Sequence, residues 1–232
     1  MTSALLRAIE DKRAKIVVLG LGYVGLPVAC MFAQAGFPVT GIRRSQEKVD
    51  MINRAERPVV LAGHGVLMSG ATEALRSFVE QTRTPVALTL LGKGGFPESH
   101  PLTLGMMGMH GEAYVNKAIQ EADLLLAFGM RFDDRVTGRL ETYAPKAAKI
   151  HVDLDAAELN KIIPVDVAIL GDLRQVLEQL SPMLEPAPHH EWLEQIDDWR
   201  EESRMRDIVN RPSNGRLVAP RAVHAIWEAT EG

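Results

Sequence analysis

The sequence predicts an α/β fold: a doubly wound parallel sheet preceded by a partial Rossmann βαβα segment. Three observations point there. Short apolar runs such as Pro58–Ala62 and Leu124–Phe128 alternate with helical stretches, the rhythm of parallel βαβ units. Strands buried on both faces read as unbroken Val, Ile and Leu runs, and these do. Glycine, an acid, or both follow those runs, as sharp strand-to-helix turns require.

Taken in order, Ser3–Arg13 reads as a short amphipathic helix. Lys15–Leu19 is a buried strand leading into Gly20-Leu21-Gly22-Tyr23-Val24-Gly25 and a helix to about Gln34, closed by Gly36. Phe37–Ile42 is a second strand, and Ser45 caps a helix through Asn53. The pattern then restarts. Pro58–Ala62 is a strand with a Gly63-His64-Gly65 turn, and a helix covers Ala71–Gln81. Val86–Leu90 leads to the glycine-rich loop Gly92–Gly95, and Gly105–Gly111 precedes a helix over Glu112–Glu121. Leu124–Phe128 is the central strand, Lys149–Val152 and Asp166–Leu170 are two more, and Leu173–Leu184 is the closing helix. Glu185–Pro188 is a linker. Beyond it, Trp192, Ile196 and Trp199 fall at helical spacing, Pro212–Pro220 is turn-rich, and Arg221–Ala229 is a last helix. The expected divisions are 1–54, 55–185 and 186–232, the middle one a six-stranded parallel sheet.

Composition narrows the function classes. With 46% hydrophobic and 24% charged residues over 232 positions, the chain can bury a sizeable core. A net charge of −4 with dispersed basic residues gives no electrostatic case for nucleic acid. No apolar run approaches the roughly 20 residues that span a bilayer. Met1–Ala14 carries Arg7, Glu10, Asp11, Lys12 and Arg13, so it lacks the apolar core of a signal peptide. The single cysteine, Cys30, excludes an internal disulfide and fits a reducing cytoplasm. Its mid-helix position reads as a core residue on the buried side, not a nucleophile.

Two glycine-rich constellations carry chemistry. In Gly20-x-Gly22-x-x-Gly25 the first glycine permits a tight turn, the second lets pyrophosphate approach the backbone, and the third packs helix on strand. A dinucleotide site then wants an acid at the end of the second strand to hold ribose hydroxyls. Arg43 stands there, and Arg43-Arg44-Ser45 would suit the 2′-phosphate of NADP; the alternative is a loop that binds nothing. The run Val18–Pro27 strongly resembles the N-terminus of UDP-glucose and related nucleotide-sugar dehydrogenases. That resemblance implies NAD(P) binding. The catalytic cysteine, lysine and sugar-binding domain it also implies have no matching segment here.

The second constellation lies across the remainder. Gly129-Met130-Arg131-Phe132-Asp133-Asp134-Arg135-Val136-Thr137-Gly138 follows the central strand and presents arginines and aspartates at its carboxyl end. Arginine can fork onto phosphate while aspartate accepts from hydroxyls, so this end suits an anionic, ribose-bearing cofactor. Glycines at several adjacent strand ends would leave a groove where a long cofactor lies against backbone amides. Ordinary turn chemistry is the competing account. His64, His100 and His110 sit in separate loops without metal-ligand spacing, so cofactor packing is the better reading of them. Met106, Met107 and Met109 could line an apolar channel or fill core.

From about Glu56 onward, Arg57–Gly65, Leu91–Pro101, Gly105–Gly111 and Arg131–Arg135 closely resemble, in the same order, the central domain of acetolactate synthase large subunits. The resemblance implies FAD in a largely structural role. It assigns FAD contacts to Gly63, His64, Gly65, Thr89, Leu90, Gly92, Met106, Gly108, His110, Gly129, Arg131, Asp133, Arg135, Asp153, Gly171 and Asp172. It also implies thiamine diphosphate and magnesium in flanking domains, through an activating glutamate and a Gly-Asp-Gly … Asn motif that have no counterpart here. The expectation is an FAD-binding module of branched-chain amino-acid biosynthesis, not catalytic alone, joined between Asp50 and Ala55 to the dehydrogenase-like segment. The alternatives are a nucleotide-sugar dehydrogenase fragment and a hybrid that binds no cofactor. Trp192–Trp199 and Leu217–Trp227 resemble a connector into a final domain. Their apolar residues would lack a partner surface, which makes the tail loose or a site of homo-oligomer formation.

Overall fold

In a computed structural model the chain is described over residues 3–19, 25–42, 46–204 and 214–230. It divides into two compact units, Met1–Met51 and Ile52–Gly232. The first holds helix α1 (Ser3–Glu10), strand β1 (Ile16–Leu19), helix α2 (Gly25–Gln34) and strand β2 (Val39–Ile42); helix α3 (Gln46–Arg54) runs on into the second. β1 and β2 pair in parallel, Ile16 opposite Val39 through Leu19 opposite Ile42, and α2 packs on both. Gly36 ends α2 with φ +90°, a conformation that costs glycine little. The Phe37 and Gly36 amides donate to the Phe32 and Ala33 carbonyls, and the Phe32 and Phe37 rings meet edge-on at 6.0 Å, which together seal the helix end.

Cys30 departs from expectation. It is exposed, not core. Ala29, 8% exposed, takes the buried position of α2, and the next residue is turned roughly 100° away around the helix. Gly25 begins α2, whereas Gly20, Gly22 and Arg43 lie outside the described residues.

The second unit is a six-stranded, all-parallel sheet formed by β3 (Pro58–Ala62), β4 (Val86–Leu88), β5 (Thr103–Met106), β6 (Leu124–Phe128), β7 (Ala148–Asp153) and β8 (Val167–Leu170). Its order is β5-β4-β3-β6-β7-β8. The chain therefore starts in the middle, winds outward one way, returns, and winds outward the other way, as in doubly wound dinucleotide-binding sheets. The reversal falls between β3 and β6, which pair over their whole length from Pro58 opposite Leu124 to Ala62 opposite Phe128. Every residue of these two strands is buried, which explains their unbroken apolar spelling.

Side chains alternate across the strands, so each face needs its own cover. On one face Val59, Leu61, Leu104 and Leu125 join a core with Val115, Ala118 and Ile119 of α6 (Ala113–Glu121) and with Trp192 and Ile196 of α9 (His190–Arg204). On the other, Phe78 of α5 (Thr72–Thr82) meets Phe128 edge-on at 5.6 Å, and α5 packs against α8 (Leu173–Leu180). At the amino edge the Asp123 carboxylate accepts from the Glu56 and Arg57 amides at 2.7 and 2.9 Å, fixing where β3 begins.

Several element boundaries moved. β4 stops at Leu88, and Leu90 to Gly92 form a 3₁₀ turn capped by Thr89, because the next backbone bonds go back to Ala62 and Thr89 rather than along a ladder. Short helices α4 (Gly65–Met68) and α7 (Asp134–Thr137) appear inside what read as turns. β5 was hidden in a segment that read as a glycine loop; Gly105 pairs with Ala87 within it.

The tail is corrected in part. Trp192 is 3% and Ile196 1% exposed, and the Trp192 indole N–H donates to the Pro58 carbonyl at 3.1 Å. α9 thus has the partner surface it was expected to lack: it closes one face of the sheet. Helix α10 (Ala219–Ala229) differs, with Val223, Ile226 and Trp227 exposed. Trp192→Ala should therefore lower stability by about 3–5 kcal/mol, whereas Trp227→Ala should stay within about 0.5 kcal/mol. Thermal denaturation of both variants checks this; equal effects would mean α9 does not belong to the core.

Candidate functional site

All six strands run the same way, so their carboxyl ends share one edge, and the strand ends and the turns leaving them carry the site residues expected of this unit. The centre of that edge is the point where the winding reverses. Here Gly63 donates to the Phe128 carbonyl at 3.0 Å and Gly65 to the Gly129 carbonyl at 2.9 Å. A Cβ on Gly65 would sit 2.6 Å from Gly129 Cα, and one on Gly63 2.3 Å from the Gly129 oxygen. Gly129 itself has φ +58°. These glycines are needed because two loops touch backbone to backbone.

The same holds further out. A Cβ on Gly92 would lie 2.3 Å from the Ala62 oxygen, and one on Gly108 2.4 Å from the Arg135 oxygen. The amides of Gly63, Gly65, Thr89, Gly92 and Gly129 all donate to protein carbonyls. The expected groove of free backbone amides is, at these positions, a set of interlocked loops.

Polar side chains pin the loops. His64 is exposed and donates from Nδ1 to the Leu91 carbonyl at 3.0 Å. Thr89 Oγ1 accepts from the Gly92 amide at 3.0 Å. Asp153, at the end of β7, accepts from the Asp155 amide at 2.8 Å. Asp172 caps α8 by accepting from the Gln175 amide at 3.1 Å, and Gly171 donates to the Asp153 carbonyl at 3.0 Å. Arg131 is exposed with a guanidinium nitrogen 3.5 Å from Asp133, and Arg135 lies 3.7 Å from the Met109 sulfur. His110, Leu90 and Met109 are exposed, whereas Met106 is half-buried at the end of β5.

The structure brings Gly63, Gly65 and Gly129 together, and joins Gly108 to Arg135 through the Met109 amide, which donates to the Arg135 carbonyl at 2.8 Å. It keeps Met106 and Asp172 at opposite ends of the edge, five strand spacings or roughly 24 Å apart. Among the described residues no group of three or more His, Cys, Asp or Glu could hold a metal.

Two residues escaped the sequence reading. Asn116 on α6 accepts from the Gly108 amide and donates to the Gly108 carbonyl, each at 2.9 Å. An asparagine inside a helix, where it is a weak former, was the available signal. His151 on β7 is fully buried and donates from Nε2 to the Met130 carbonyl at 2.8 Å. It therefore holds the arginine-bearing loop from below, with Phe132 edge-on at 5.2 Å. A cavity of ≈ 300 Å³ lies beside Asn116, between the Gly108–Met109 turn and Asp134–Gly138, with Tyr143 in its wall. The Tyr143 hydroxyl is buried, and burial pushes its pKa up.

Burial holds the His151 pKa below its usual value, against smaller opposing effects from Met130 and Asp153. His189 is lowered in the same way. A histidine that stays neutral when folded stabilises the fold fully above its unfolded pKa of about 6.5, and that share is lost as pH falls toward the folded value. The thermal midpoint should therefore drop between about pH 7.5 and pH 5. The drop should be smaller in His151→Gln, with His189 supplying the rest; an unchanged drop would show that His151 does not contribute.

Residues 45–180 match the family described as thiamine pyrophosphate enzyme, central domain. The chain is 46% identical over 183 residues to an acetolactate synthase large subunit of Parasynechococcus marenigrum, covering 77% of this chain and 29% of that protein. It is 38% identical over 182 residues to the acetolactate synthase isozyme 3 large subunit of Escherichia coli, covering 77% and 32%. It thus spans less than a third of the length of these relatives. Among solved structures, one from Mycobacterium smegmatis, assigned to the thiamin diphosphate-dependent enzymes, matches with a TM-score of 0.53 and 26% identity over 62% of this chain and 28% of that one.

Proposed function

Since this chain belongs to the thiamine pyrophosphate enzyme central-domain family, we propose that its six-stranded unit is the FAD-binding middle domain of an acetolactate synthase large subunit. One observation carries the reading: a single sheet edge, wide enough for an extended dinucleotide, sets exposed Arg131 and Arg135 among exposed apolar side chains. Leu90 is 69% and Leu154 75% exposed there, flanking the interlocked glycine loops. Apolar surface of this kind suits a flavin ring, and the guanidinium groups suit its diphosphate. Arg131 and Arg135 would hold the diphosphate, Asp153 and Asp172 would take ribose hydroxyls with the carboxylate capacity their turns leave, and His64 would offer the ring nitrogen that does not bond Leu91. A bound flavin would supply no net redox step, and these residues would serve to hold it.

Thiamine diphosphate and magnesium belong to the family's whole enzymes. The residues here do not fit them: Gly171-Asp172-Leu173 departs from the Gly-Asp-Gly motif, and Asp172 is engaged as a helix cap. For Met1–Met51, the parallel β1–α2–β2 arrangement supports a second reading, a partial NAD(P)-type Rossmann segment of nucleotide-sugar dehydrogenase kind.

Titration of the purified chain with FAD, followed by flavin fluorescence, tests the principal reading. Arg131→Ala should weaken binding about ten-fold or more with the fold intact, since a charge-assisted hydrogen bond contributes on the order of 1.5–3 kcal/mol. Equal affinities would place the cofactor elsewhere. Supplied with pyruvate, thiamine diphosphate, magnesium and FAD, the chain should form no acetolactate. With UDP-glucose and NAD or NADP it should form no reduced nicotinamide. Turnover in the first mixture would mean that these residues hold thiamine after all, and turnover in the second that the first unit is a working site.

A further inference from the structure

The turn Gly108-Met109-His110-Gly111 has its position set from a helix. Gly108 adopts φ +92°, and its own N–H and C=O are both taken by the Asn116 side-chain amide. The next amide, Met109, donates to the Arg135 carbonyl, the same oxygen that a Cβ on Gly108 would strike. Gly111 then donates to Gly108 at 3.0 Å, and Glu112 to Met106 at 3.1 Å, which closes the turn onto the start of α6. The bonds from Asn116 tie this turn to a side chain within α6, whose Val115, Ala118 and Ile119 are buried against the sheet. Beyond the clamp, Met109, His110 and Arg135 are exposed at the edge.

We propose that Asn116 is a positioning residue for cofactor binding. By gripping both polar ends of Gly108 it fixes the Gly108–Gly111 turn against Arg135, so that His110 and Arg135 present one preformed surface to the flavin nucleotide. The proposal rests on the FAD reading of the edge. A side chain that only satisfied a loop peptide would affect stability; one that sets the spacing of two ligand-contacting segments affects affinity in the folded protein. Asparagine suits the task because its short amide offers an acceptor and a donor side by side. Aspartate has the same shape, but as a carboxylate it keeps the acceptor, loses the donor and repels the Gly108 oxygen. Protonated, it regains a donor and matches the amide.

The test is FAD titration of the full chain, of Asn116→Ala and of Asn116→Asp, at temperatures well below their melting transitions, with hydrogen exchange at the Gly108 and Met109 amides measured alongside. Asn116→Ala should bind FAD about ten-fold or more weakly, with faster exchange at Gly108 and an intact fold. Asn116→Asp should be as weak near neutrality and should recover, relative to the wild type at each pH, as pH is lowered toward about 5. Unchanged affinity in Asn116→Ala, or loss in both variants without recovery of the aspartate at low pH, would overturn the proposal while leaving the FAD reading in place. Absence of FAD binding by the wild-type chain would overturn both.

Discussion

The contact between the Gly63–Gly65 turn and Gly129 is the constraint on which the rest of the second unit depends. It sits where the winding of the sheet reverses, between β3 and β6, and it brings two backbones closer than any side chain allows. β3 and β6 are the innermost strands, and backbone approaches of the same kind recur at the outer turns. Gly92 packs on the Ala62 carbonyl, Gly108 on Arg135, and Gly171 bonds to Asp153. Parallel strands end in register here, so a small set of backbone approaches organises a whole edge.

The edge is fastened from beneath by uncharged or locally satisfied polar groups. Asn116 reaches from α6 and His151 from β7, and each ties a side chain to the backbone of another loop. Burial favours this choice, since a neutral donor under a loop carries a far smaller desolvation cost than a charge. It leaves the charged residues, Arg131 and Arg135, out at the surface with loose partners. Neutral side chains thus hold the Gly108 turn and the Met130 loop, while Arg131 and Arg135 face solvent.

The opposite edge is anchored by residues distant in sequence from β3. Asp123 fixes the start of β3, and the Trp192 indole bonds to Pro58 at the same end. α9 therefore belongs to the core of the unit, with Trp199 near Trp192 at 5.8 Å. The exposed apolar residues of α10, by contrast, have a helical period without a covering surface.

The sequence by itself determined the strands whose both faces are buried, because Pro58–Ala62 and Leu124–Phe128 have no polar position to hide and their ends are punctuated by glycine. It also determined which residues line the carboxyl edge, since in an all-parallel sheet every strand ends on the same side. It could not locate β5, whose Gly105 reads as a turn, because that strand is recruited by pairing with β4 and not by its own propensity. It misplaced Cys30 and the α9 tract for a related reason: one residue of helical phase, or one distant strand, decides whether a side chain is covered. Only the tertiary structure decided what the glycines do. A missing Cβ spells the same letter whether a cofactor or another loop fills the space, and at Gly63, Gly65, Gly108 and Gly129 the backbone of another loop stands there. The roles of Asn116 and His151 were not legible either, beyond the weak helix former that Asn116 is, because their partners are backbone carbonyls and amides, which the sequence does not distinguish from one position to the next.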